Sequence, residues 1–544
     1  MLNVKIKTLL YLALFSLAAI MLSCSSLQLR PFASSPVIRV GIVLDADEIS
    51  FEPNQGMLIT TKEKGQRYRS EQTDLWTVRV ASGSGRPAAF RLLLDEFDDE
   101  KPAKEAVAQY KDDGVETELL VVGDVLRIDG KTVAGSARYQ VVAQQLFDTR
   151  DDAQLTKATN ENLADASVIS MGEDVAGEII LISPKGDELA VQDAVRLSGP
   201  QFTIHNIRVG EGFHWAQEET RTYRGELEFR LSPGGKLIAI NVLPLEEYLM
   251  GVVPGEMSPS FPLEALKAQA IAARTFFLYN FGRVHHNDPF DVCADVHCQS
   301  YVGTKNQNDK VERAVRETRG LVLQHNGELC TTPFSAMCGG HTEHSDNVWS
   351  GDPLPYLKGV YDVKHPEAVE AKFSLTEEDN IRKWIESTPD VFCNIDKGGD
   401  PSYAQYAKKF FRWQERFTRQ ELEANIRQYT GRTFGSLVDL QPVSRGVSGR
   451  LIELRVVGTT DSFTLGKELR IRKALSPKTL YSACFVIDTA GNGDLPDDFI
   501  LTGAGWGHGV GMCQIGAALL AERGKNAGDI LRHYYVGTKI KSLY

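Results

Sequence analysis

The sequence has no excess of positive charge. Its 544 residues include 60 lysines and arginines against 72 aspartates and glutamates, which gives a formal net charge of -12. Proteins that bind nucleic acid or an anionic membrane surface do so largely through clustered positive charge. The composition therefore argues against nucleic acid and against an anionic membrane surface as the main ligand. A neutral or mixed-charge substrate stays open.

The amino terminus lacks an apolar run long enough to cross a bilayer comfortably. The run at residues 9–21 follows Lys5 and Lys7 and is followed by small polar residues, which predicts an export signal over residues 1–23. The MLSC that ends this segment resembles a lipobox, so Cys24 is the predicted lipidation site. The chain would then reach the membrane through a lipid anchor only. A signal cut nearby without a lipid is the alternative.

Cysteine is scarce, with eight residues in the whole chain. If Cys24 is acylated, one of the eight is used and seven thiols remain, an odd number for an exported protein. At least one thiol is then free or serves something other than a disulfide. The sequence leaves the pairing of five cysteines open: Cys330, Cys338, Cys393, Cys484 and Cys513.

The length predicts two or three structural units, because domains average roughly 150 residues. Residues 24–75 are predicted to be a linker with the first strands. Residues 76–176 are predicted to form a small α/β region, since WTVRVASGSGRPAAFRLLLDEF and RYQVVAQQLFDTRDDAQLTKAT each pass from a strand into a helix. The pair weakly resembles the peptidoglycan-binding SPOR modules. A structural βα unit without a ligand is the alternative.

Residues 177–544 are predicted to be the larger region. They begin with a strand-rich tract, 177–242, interrupted by Gly, Ser and Pro turns. A charged tract at 363–429, which includes FRWQERFTRQELEANIRQY, is predicted to be a helical insertion on the flank of the core. The predicted fold class is α+β, a mixed β-rich core with helices that form a cleft, preceded by the smaller α/β region.

The stretch from Leu243 to Asn280 holds an isolated carboxylate at Glu256. Pro254 and Gly255 predict a bend just before Glu256, and Pro262 then permits a helix that ends near Gly282. Helical spacing places Lys267 and Arg274 on a neighbouring polar face of this helix. A solvated turn residue beside an ordinary wet helix face is the alternative interpretation. The predicted buried stripe of the helix consists of Leu263, Leu266, Ala270, Ala273 and Phe277.

A dense group of imidazoles and thiols follows this helix. Its spacing suits a tetrahedral zinc site made by Cys293, His297 and Cys298 with one further histidine. We assign the fourth position to His286, with His285 as the other candidate. A disulfide between Cys293 and Cys298 is the alternative in an oxidising compartment.

Two glycine-containing motifs complete the candidate site. FSAMCGGHTEHSDNVW at 334–349 offers His341 and Glu343 as substrate-binding residues. GAGWGHGVGMCQIGA at 503–517 superficially suggests a dinucleotide loop, but it has bulky residues between the glycines and no βαβ unit after it. We instead expect Trp506 to form a sugar platform and His508 a polar contact.

Five motifs in this order resemble the sporulation stage II protein D and amidase enhancer family: LPLEEYLMGVVPGEM, EALKAQAIAARTFFLYN, DVHCQSYVG, the CGGHTEHSDNVW block and GWGHGVGMCQIGA. The resemblance covers roughly residues 200–544. It implies an exported or membrane-tethered protein of the cell envelope that acts on peptidoglycan, with lytic transglycosylation of peptide-free glycan strands as the best understood activity. It implies that Glu256 is the catalytic glutamate, and that Lys267 and Arg274 support activity. It also implies zinc in some members.

The implied chemistry needs only one carboxylate. A glycosidase that hydrolyses its substrate uses two, whereas a transglycosylase lets the substrate's own muramic acid 6-hydroxyl attack. Glu256 should then have a raised pKa, supplied by an apolar pocket of Met257, Phe261 and Trp506. We expect Lys267 and Arg274 to bind sugar or lactyl oxygens. The alternatives are a non-catalytic, peptidoglycan-binding enhancer of an N-acetylmuramoyl-L-alanine amidase and a zinc-dependent hydrolase.

Overall fold

The computed structural model describes residues 35–544 except 62–64, 82–88, 124, 129–130, 136–137, 161–162, 164–165, 172–176, 233–234, 287 and 365–373. The predicted export signal and Cys24 lie outside the described residues. No helix in the described part of the chain is both long enough and apolar enough to cross a membrane.

The first half of the described chain is mainly strand. Its strands are β1 Val37–Ala46, β2 Glu48–Pro53, β3 Met57–Thr61, β4 Arg67–Ser70, β5 Trp76–Val80, β6 Ala89–Phe97, β7 Thr117–Val122, β8 Leu126–Ile128, β9 Lys131–Ala134, β10 Arg138–Ala143, β11 Ser167–Met171, β12 Glu178–Ile182, β13 Glu188–Gln192, β14 Ala194–Val209, β15 Gln217–Leu231 and β16 Leu237–Pro244.

The second half of the chain has shorter strands. They are β17 Val292–Cys293, β18 Leu321–His325, β19 Glu328–Leu329, β20 Phe334–Ser335, β21 Trp413–Thr418, β22 Leu437–Arg445, β23 Leu451–Gly458, β24 Ser462–Gly466, β25 Phe485–Ala490, β26 Asp498–Gly503, β27 Met512–Cys513 and β28 Lys539–Ser542.

The α-helices lie mostly in the second half. They are α1 Glu100–Asp112, α2 Arg150–Thr159, α3 Leu245–Glu256, α4 Leu263–Asn280, α5 Asp309–Glu317, α6 Ser345–Val348, α7 Glu378–Glu386, α8 Lys408–Phe411, α9 Arg419–Thr430, α10 Glu468–Leu475, α11 Gln514–Glu522 and α12 Ala527–Tyr534. The mixed, β-rich α+β class predicted from the sequence is confirmed.

The main sheet runs in the order β13-β12-β5-β2-β14-β15-β16-β1-β17, with β3 paired to β14 and β4 to β3. Strand β16, LIAINVLP, is buried along almost its whole length, as expected of a strand covered on both faces. Its side chains divide between two cores. Leu237, Ala239 and Leu243 join the main core, whereas Ile238 and Ile240 pack with Cys293 on the other face.

A small separate sheet, β11-β6-β10-β7, holds helices α1 and α2. The second sequence pattern passes from β10 into α2 as predicted. The helix predicted at the end of the first pattern was wrong, because Ala89–Phe97 forms strand β6 and α1 begins only after it, at Glu100. The opening WTVRV, however, belongs to the main sheet, where β5 pairs with β2 and β12. Whether this region binds a ligand as SPOR modules do stays a prediction.

The described part of the tract at 363–429 is not helical throughout. The prediction was wrong for Trp413–Thr418, which forms β21 and pairs antiparallel with β26. Its side chains alternate between buried and exposed, the period of a strand. Helix α9 then begins with a capping box made by Thr418 and Glu421. Trp413 and two residues of α9, Leu422 and Ile426, belong to a second hydrophobic core.

Helix α4 is buried on nearly every side, which contradicts both the predicted polar face and its alternative, an ordinary wet helix face. Ile271, Arg274 and Leu278, which lie along that predicted face, are at most 1% exposed. The alanines of LEALKAQAIAARTFFLYN are small enough for neighbours to pack around the whole circumference. The helix contacts α3, α5, α11, α12 and β18. It therefore forms the centre of the core rather than one wall of a cleft.

Candidate active site and metal centre

Glu256 is the last residue of helix α3. The bend follows Glu256 rather than preceding it, because Pro254 and Gly255 lie inside the last helical turn and the chain becomes extended at Met257. The fixed φ of proline, about −65°, is that of a helix, so Pro254 does not force the expected turn. The carboxylate consequently projects from the carboxyl end of a helix, where the macrodipole disfavours negative charge.

Two glycines on α3 let a neighbouring loop approach Glu256. A Cβ atom on Gly255 would collide with the carbonyl oxygen of Ser300, and one on Gly251 would collide with Tyr301 and Gly303. Residues four apart lie on the same face of a helix, so the two glycines form one smooth surface for this loop. The close approach allows the backbone N–H of Ser300 to donate to Glu256 Oε1 at 2.7 Å.

The environment of Glu256 favours a neutral carboxyl. Burial raises its pKa from the ordinary value of 4.5 to about 7, against the lowering effect of hydrogen bonds from Ser300 N–H and the Gln514 side chain. Met257 and Phe261, two of the predicted pocket residues, are buried at 2% and 1% exposure. Among the described residues, no other carboxylate and no cation contributes to the shift. Desolvation therefore dominates, the condition required of a general acid.

A second polar group lies close to this carboxyl. The Tyr248 hydroxyl is buried and has no hydrogen-bond partner among the described residues. Burial raises its pKa, and so does the proximity of Cys298, Cys293 and Glu256. The sequence analysis missed Tyr248, although it stands in the quoted motif LPLEEYLMGVVPGEM.

Four side chains after helix α4 form a candidate metal centre. They are His285, Cys293, His297 and Cys298, whose ligand atoms all lie within 4.8 Å of one another. The assignment of His286 was wrong. Its Nε2 lies 2.7 Å from Gln140 Nε2 and its Nδ1 lies 2.9 Å from a backbone oxygen. His285 adopts a positive φ of 58°, and the side chains of the two adjacent histidines contact different groups.

The distances in this cluster fit a tetrahedral zinc ion. His285 Nε2 lies 3.2 Å from His297 Nδ1, which itself lies 3.9 Å from Cys293 Sγ and 3.7 Å from Cys298 Sγ. Ordinary zinc bond lengths require about 3.4 Å between two nitrogens and about 3.6 Å between nitrogen and sulfur. Asp288 Oδ2 lies 2.7 Å from the other nitrogen of His285 and orients the ring, as carboxylates do behind metal-bound histidines.

The metal cluster and Glu256 are connected through the chain. Ser300, whose N–H binds the carboxyl, stands two residues after Cys298. A surface cavity of about 670 Å³ is lined by His285, Asp288, Arg39 and others, but not by the other three residues of the cluster or by Glu256. The carboxyl and this cavity are therefore separate features.

Arg274 does not face a substrate cleft, which corrects the predicted role. Its side chain is 0% exposed. Nε and Nη2 donate to the two carboxylate oxygens of Glu246 at 2.8 and 2.6 Å, and Nη1 donates to the backbone oxygen of Leu321 at 3.1 Å. Any support that Arg274 gives to activity is structural. Lys267 is half-buried, with Nζ 2.8 Å from Glu264 and 2.6 Å from Glu317, and its contact with substrate stays a prediction.

Glu343 has a structural role, which corrects the prediction that it contacts a sugar. It is 1% exposed and accepts hydrogen bonds from the backbone N–H groups of His344, Val447 and Ser448. His341 is 5% exposed and packs edge-on against Tyr361, and burial lowers its pKa to about 4. Both side chains hold the loop together from within.

The two glycine motifs run side by side. Strands β20 and β27 are parallel, and isolated bridges join Met337 to Trp506 and Glu343 to Val510. His508 lies with Nε2 3.0 Å from the Phe334 oxygen, and its Nδ1 accepts from Val510 N–H at 3.0 Å. Both ring nitrogens are thus engaged within the protein. The prediction that His508 makes a polar contact with substrate is therefore corrected to a structural role.

Aromatic rings remain available beside these motifs. Trp506 is partly exposed and packs against Phe410 and His214 at ring-centroid distances of 4.3 and 5.6 Å. Trp349 is 42% exposed and tilts over His508 at 4.9 Å. A stacking role for Trp506 stays a prediction. The end of the second motif does reach Glu256, because Gln514 hydrogen-bonds its carboxyl.

Helix α11 is capped by Cys513, whose sulfur accepts from the Gly516 N–H. Ser300 and Gln514 were both present in the quoted motifs, yet their contacts with Glu256 could not be read from spacing. The i,i+4 pair Gly251 and Gly255 is the one sequence signal that indicates a close approach to this end of α3.

Comparison with protein families matches residues 233–325 to the family described as Stage II sporulation protein. It matches residues 343–511 to a Domain of unknown function (DUF8618). The first match contains Glu256 and the whole candidate metal centre. The second contains the loop held by Glu343, together with Trp506 and His508.

Curated relatives agree with the first match. An uncharacterised protein of Brachyspira hyodysenteriae is 33% identical over 321 residues, which cover 58% of this chain and 72% of the relative. The amidase enhancer of Bacillus subtilis is 29% identical over 307 residues, covering 54% of this chain and 40% of that protein. The stage II sporulation protein D of the same organism is 28% identical over 316 residues, covering 56% and 76%.

Proposed function

The chain belongs to the stage II sporulation protein D and amidase enhancer family, and on that premise we propose that it is a peptidoglycan lytic transglycosylase. Family membership supports a role in the cell wall. The finer proposal is cleavage of glycan strands already stripped of their peptides, with Glu256 as the acid and then the base.

The observation that carries this proposal is the single carboxyl of Glu256 with its pKa raised to about 7. At neutral pH such a group is present in both forms, so it can donate a proton and later accept one. A retaining hydrolase would need a second carboxyl about 5–5.5 Å away, and an inverting one a second at about 6.5–9.5 Å. No second carboxylate perturbs Glu256 among the residues that the structure describes.

The reaction then proceeds without a water molecule. Protonated Glu256 gives its proton to the glycosidic oxygen as the bond to the anomeric carbon breaks. The 6-hydroxyl of the same muramic acid residue bonds to that carbon and loses its proton to Glu256. The enzyme is restored, and the product ends in a 1,6-anhydro sugar. Ser300 N–H fixes Oε1 of the carboxyl during both transfers, and the Gln514 side chain fixes its orientation.

Zinc at His285, Cys293, His297 and Cys298 is part of the proposal. Four protein ligands are typical of a structural zinc site, and a bound ion would supply fixed geometry to the loop that follows it. That loop contains Ser300, so the ion would act on the reaction only by holding this N–H against Glu256. The arrangement gives less support to a zinc-dependent hydrolase, which keeps one coordination position for water.

The test is the product formed from amidase-treated, peptide-free glycan strands. Wild-type protein should release fragments with anhydro ends, which are lighter by one water than the reducing ends left by hydrolysis. Glu256→Gln should reduce the rate at least about 100-fold, because the amide cannot transfer the proton. Glu247→Gln, on the same helix, is the matched control and should cleave normally. Equal cleavage by Glu256→Gln, or reducing ends as product, would refute the proposal.

The name of the Bacillus subtilis relative favours a second candidate, stimulation of a cell-wall amidase without glycan cleavage. Amidase activity is then measured on intact peptidoglycan with and without this protein. Stimulation that survives Glu256→Gln, together with the absence of anhydro ends from the wild type, would favour the enhancer over the transglycosylase.

Export and lipid anchoring at Cys24 complete the proposal for the cell envelope. Metabolic labelling with a radioactive fatty acid should mark the wild-type protein and not Cys24→Ala. Equal labelling of both would place the lipid elsewhere, and labelling of neither would favour a cleaved signal without a lipid.

A further inference from the structure

A second cluster of ligand groups lies outside the site described above. Cys338 follows β20, Asp362 follows the bridge at Tyr361, Cys393 lies in the loop after α7, and Cys513 ends β27. Their ligand atoms all lie within 4.8 Å of one another. All four are buried, with exposures of 2% for Cys338 and 0% for the other three. Four segments separated by long stretches of sequence thus converge on one point.

The spacing within this cluster matches a tetrahedral metal ion. Cys338 Sγ lies 3.6 Å from Cys393 Sγ and 3.4 Å from Asp362 Oδ2. Zinc–sulfur bonds of about 2.3 Å and zinc–oxygen bonds of about 2.0–2.2 Å give tetrahedral edges of about 3.5–3.8 Å.

The surroundings orient the ligand atoms toward the common centre. Asp362 Oδ1 accepts from the Tyr534 hydroxyl at 2.7 Å and lies 3.2 Å from His533 Nε2, while Oδ2 faces the thiols. Cys513 Sγ accepts from the backbone N–H groups of Cys338 and Gly516 at 3.2 and 3.4 Å. Hydrogen bonds of this kind stand behind the ligands of most protein metal sites.

A metal ion would balance the charge of the cluster more fully than its protein partners do. Asp362 is fully buried, and its ion-pair partner is His533, which is cationic only when protonated. A buried carboxylate is costly unless it is paired or coordinates a metal. A disulfide between two of the three thiols would leave only the third thiol facing Asp362 Oδ2. Soft thiolate ligands select zinc over magnesium or calcium.

We propose that Cys338, Asp362, Cys393 and Cys513 bind a second zinc ion, which is structural. All four ligands come from the protein and none is exposed, so no position opens to substrate. The ion joins the loop that holds Gly339 and Gly340 to the start of helix α11. Because Gln514 follows Cys513 directly, the same ion fixes the side chain that hydrogen-bonds Glu256.

The test is the zinc content of the full chain, purified under reducing conditions and measured by elemental mass spectrometry. Cys393→Ser should lose one equivalent of zinc relative to the wild type. Cys298→Ser tests the first centre independently, because its ligands are separate from these. Cys484→Ser removes a buried thiol outside both clusters and should keep the wild-type content. Unchanged zinc in Cys393→Ser would overturn the proposal.

A second measurement covers the case in which Cys393→Ser does not fold. The double variant Cys293→Ser/Cys298→Ser removes both thiols of the first centre. Loaded with cobalt in place of zinc, it should still show the thiolate-to-cobalt charge-transfer absorption, which only the second cluster can then supply. Absence of that absorption would overturn the proposal. So would a disulfide between any two of Cys338, Cys393 and Cys513 in peptides from protein taken from its own compartment.

Discussion

Helix α3 has one glutamate in its first turn and another as its last residue, and the two differ in their partners and in the charge around them. Glu246, in the first turn, is 1% exposed, with its two oxygens held by Arg274 at 2.8 and 2.6 Å and a third contact from the Tyr544 hydroxyl at 2.6 Å. Glu256, at the other end, has a backbone N–H and an amide as partners. Glu246 is buried and Glu256 is half-buried, and only Glu246 is paired with a cation.

The contrast shows that burial alone does not decide what a carboxyl does. The amino end of a helix favours negative charge and the carboxyl end disfavours it, so the helix adds to the difference between the two sites. Glu246 is held in one arrangement by a bidentate partner. Glu256 is left able to change its protonation state, which a proton-transfer catalyst requires.

Removal of Arg274 should have the largest effect, because it takes away the cation that distinguishes Glu246 from Glu256. Arg274→Ala leaves Glu246 buried without its cation, which costs about 3–5 kcal/mol of unfolding free energy. Urea unfolding followed by circular dichroism measures the change. A loss below about 1 kcal/mol would mean that water or another group replaces the guanidinium, and that the pair matters no more than a surface one.

The second prediction uses the pH dependence of stability at Glu256. A carboxyl whose pKa rises on folding, here from 4.5 to about 7, binds its proton more tightly in the folded state. Its contribution is therefore fully favourable below pH 4.5 and is lost as the pH rises through 7. The difference corresponds to about 3 kcal/mol. Glu256→Gln should match the wild type near pH 4 and exceed its stability by up to that amount above pH 8.

Unfolding curves of both proteins at the two pH values test this prediction. The comparison with the variant at each pH cancels the titration of all other groups. Equal stability of the two proteins at high pH would mean that Glu256 is solvated and no different from an ordinary acid.

Gly255→Ala should disturb the loop that contacts Glu256, so that Glu256, like Glu246, no longer supports catalysis. The added methyl group collides with the Ser300 carbonyl, and such overpacking costs about 1–3 kcal/mol. The loop must shift to relieve it, so the Ser300 N–H leaves Glu256 Oε1 and glycan cleavage should fall by roughly 100-fold. Gly466→Ala is the control, because a Cβ there meets open space. Normal cleavage by Gly255→Ala would remove the Ser300 contact from the mechanism.

The smallest effect is expected at Lys267, the other cation of helix α4. Its pairs with Glu264 and Glu317 are half-exposed, so Lys267→Ala should cost less than about 1 kcal/mol of stability. Any change in the cleavage kinetics would then reflect a contact between Lys267 and the substrate. A raised KM at normal stability would support the predicted sugar contact, and unchanged kinetics would remove it.

The sequence predicted that Cys293, His297 and Cys298 lie together, because their spacing is local, and the structure places them in one cluster. The catalytic role of Glu256 stays a prediction, and the bend that local pattern placed before it follows it instead. The sequence placed Arg274 beside Lys267, since helical spacing records the face of a helix but not what packs against it. Arg274 became a core residue because Glu246, 28 residues earlier, meets it there. The choice between His285 and His286 depended on one positive φ, which no spacing encodes.

The strand at Trp413–Thr418 illustrates the same limit on a larger scale. Its partner β26 lies about 80 residues further along the chain, so the charged, aromatic segment favours a helix when taken alone. The second cluster of ligands was equally hidden, because Cys338 and Cys513 come together only through the parallel pairing of β20 with β27.

The position of strand β1 has a consequence for the timing of folding. It lies between β16 and β17, so the first described strand pairs only with segments that begin at Leu237 and Val292. At about 5–20 residues per second, synthesis of the roughly 200 intervening residues takes about 10–40 s. Until then the beginning of the chain has no permanent partner in this sheet.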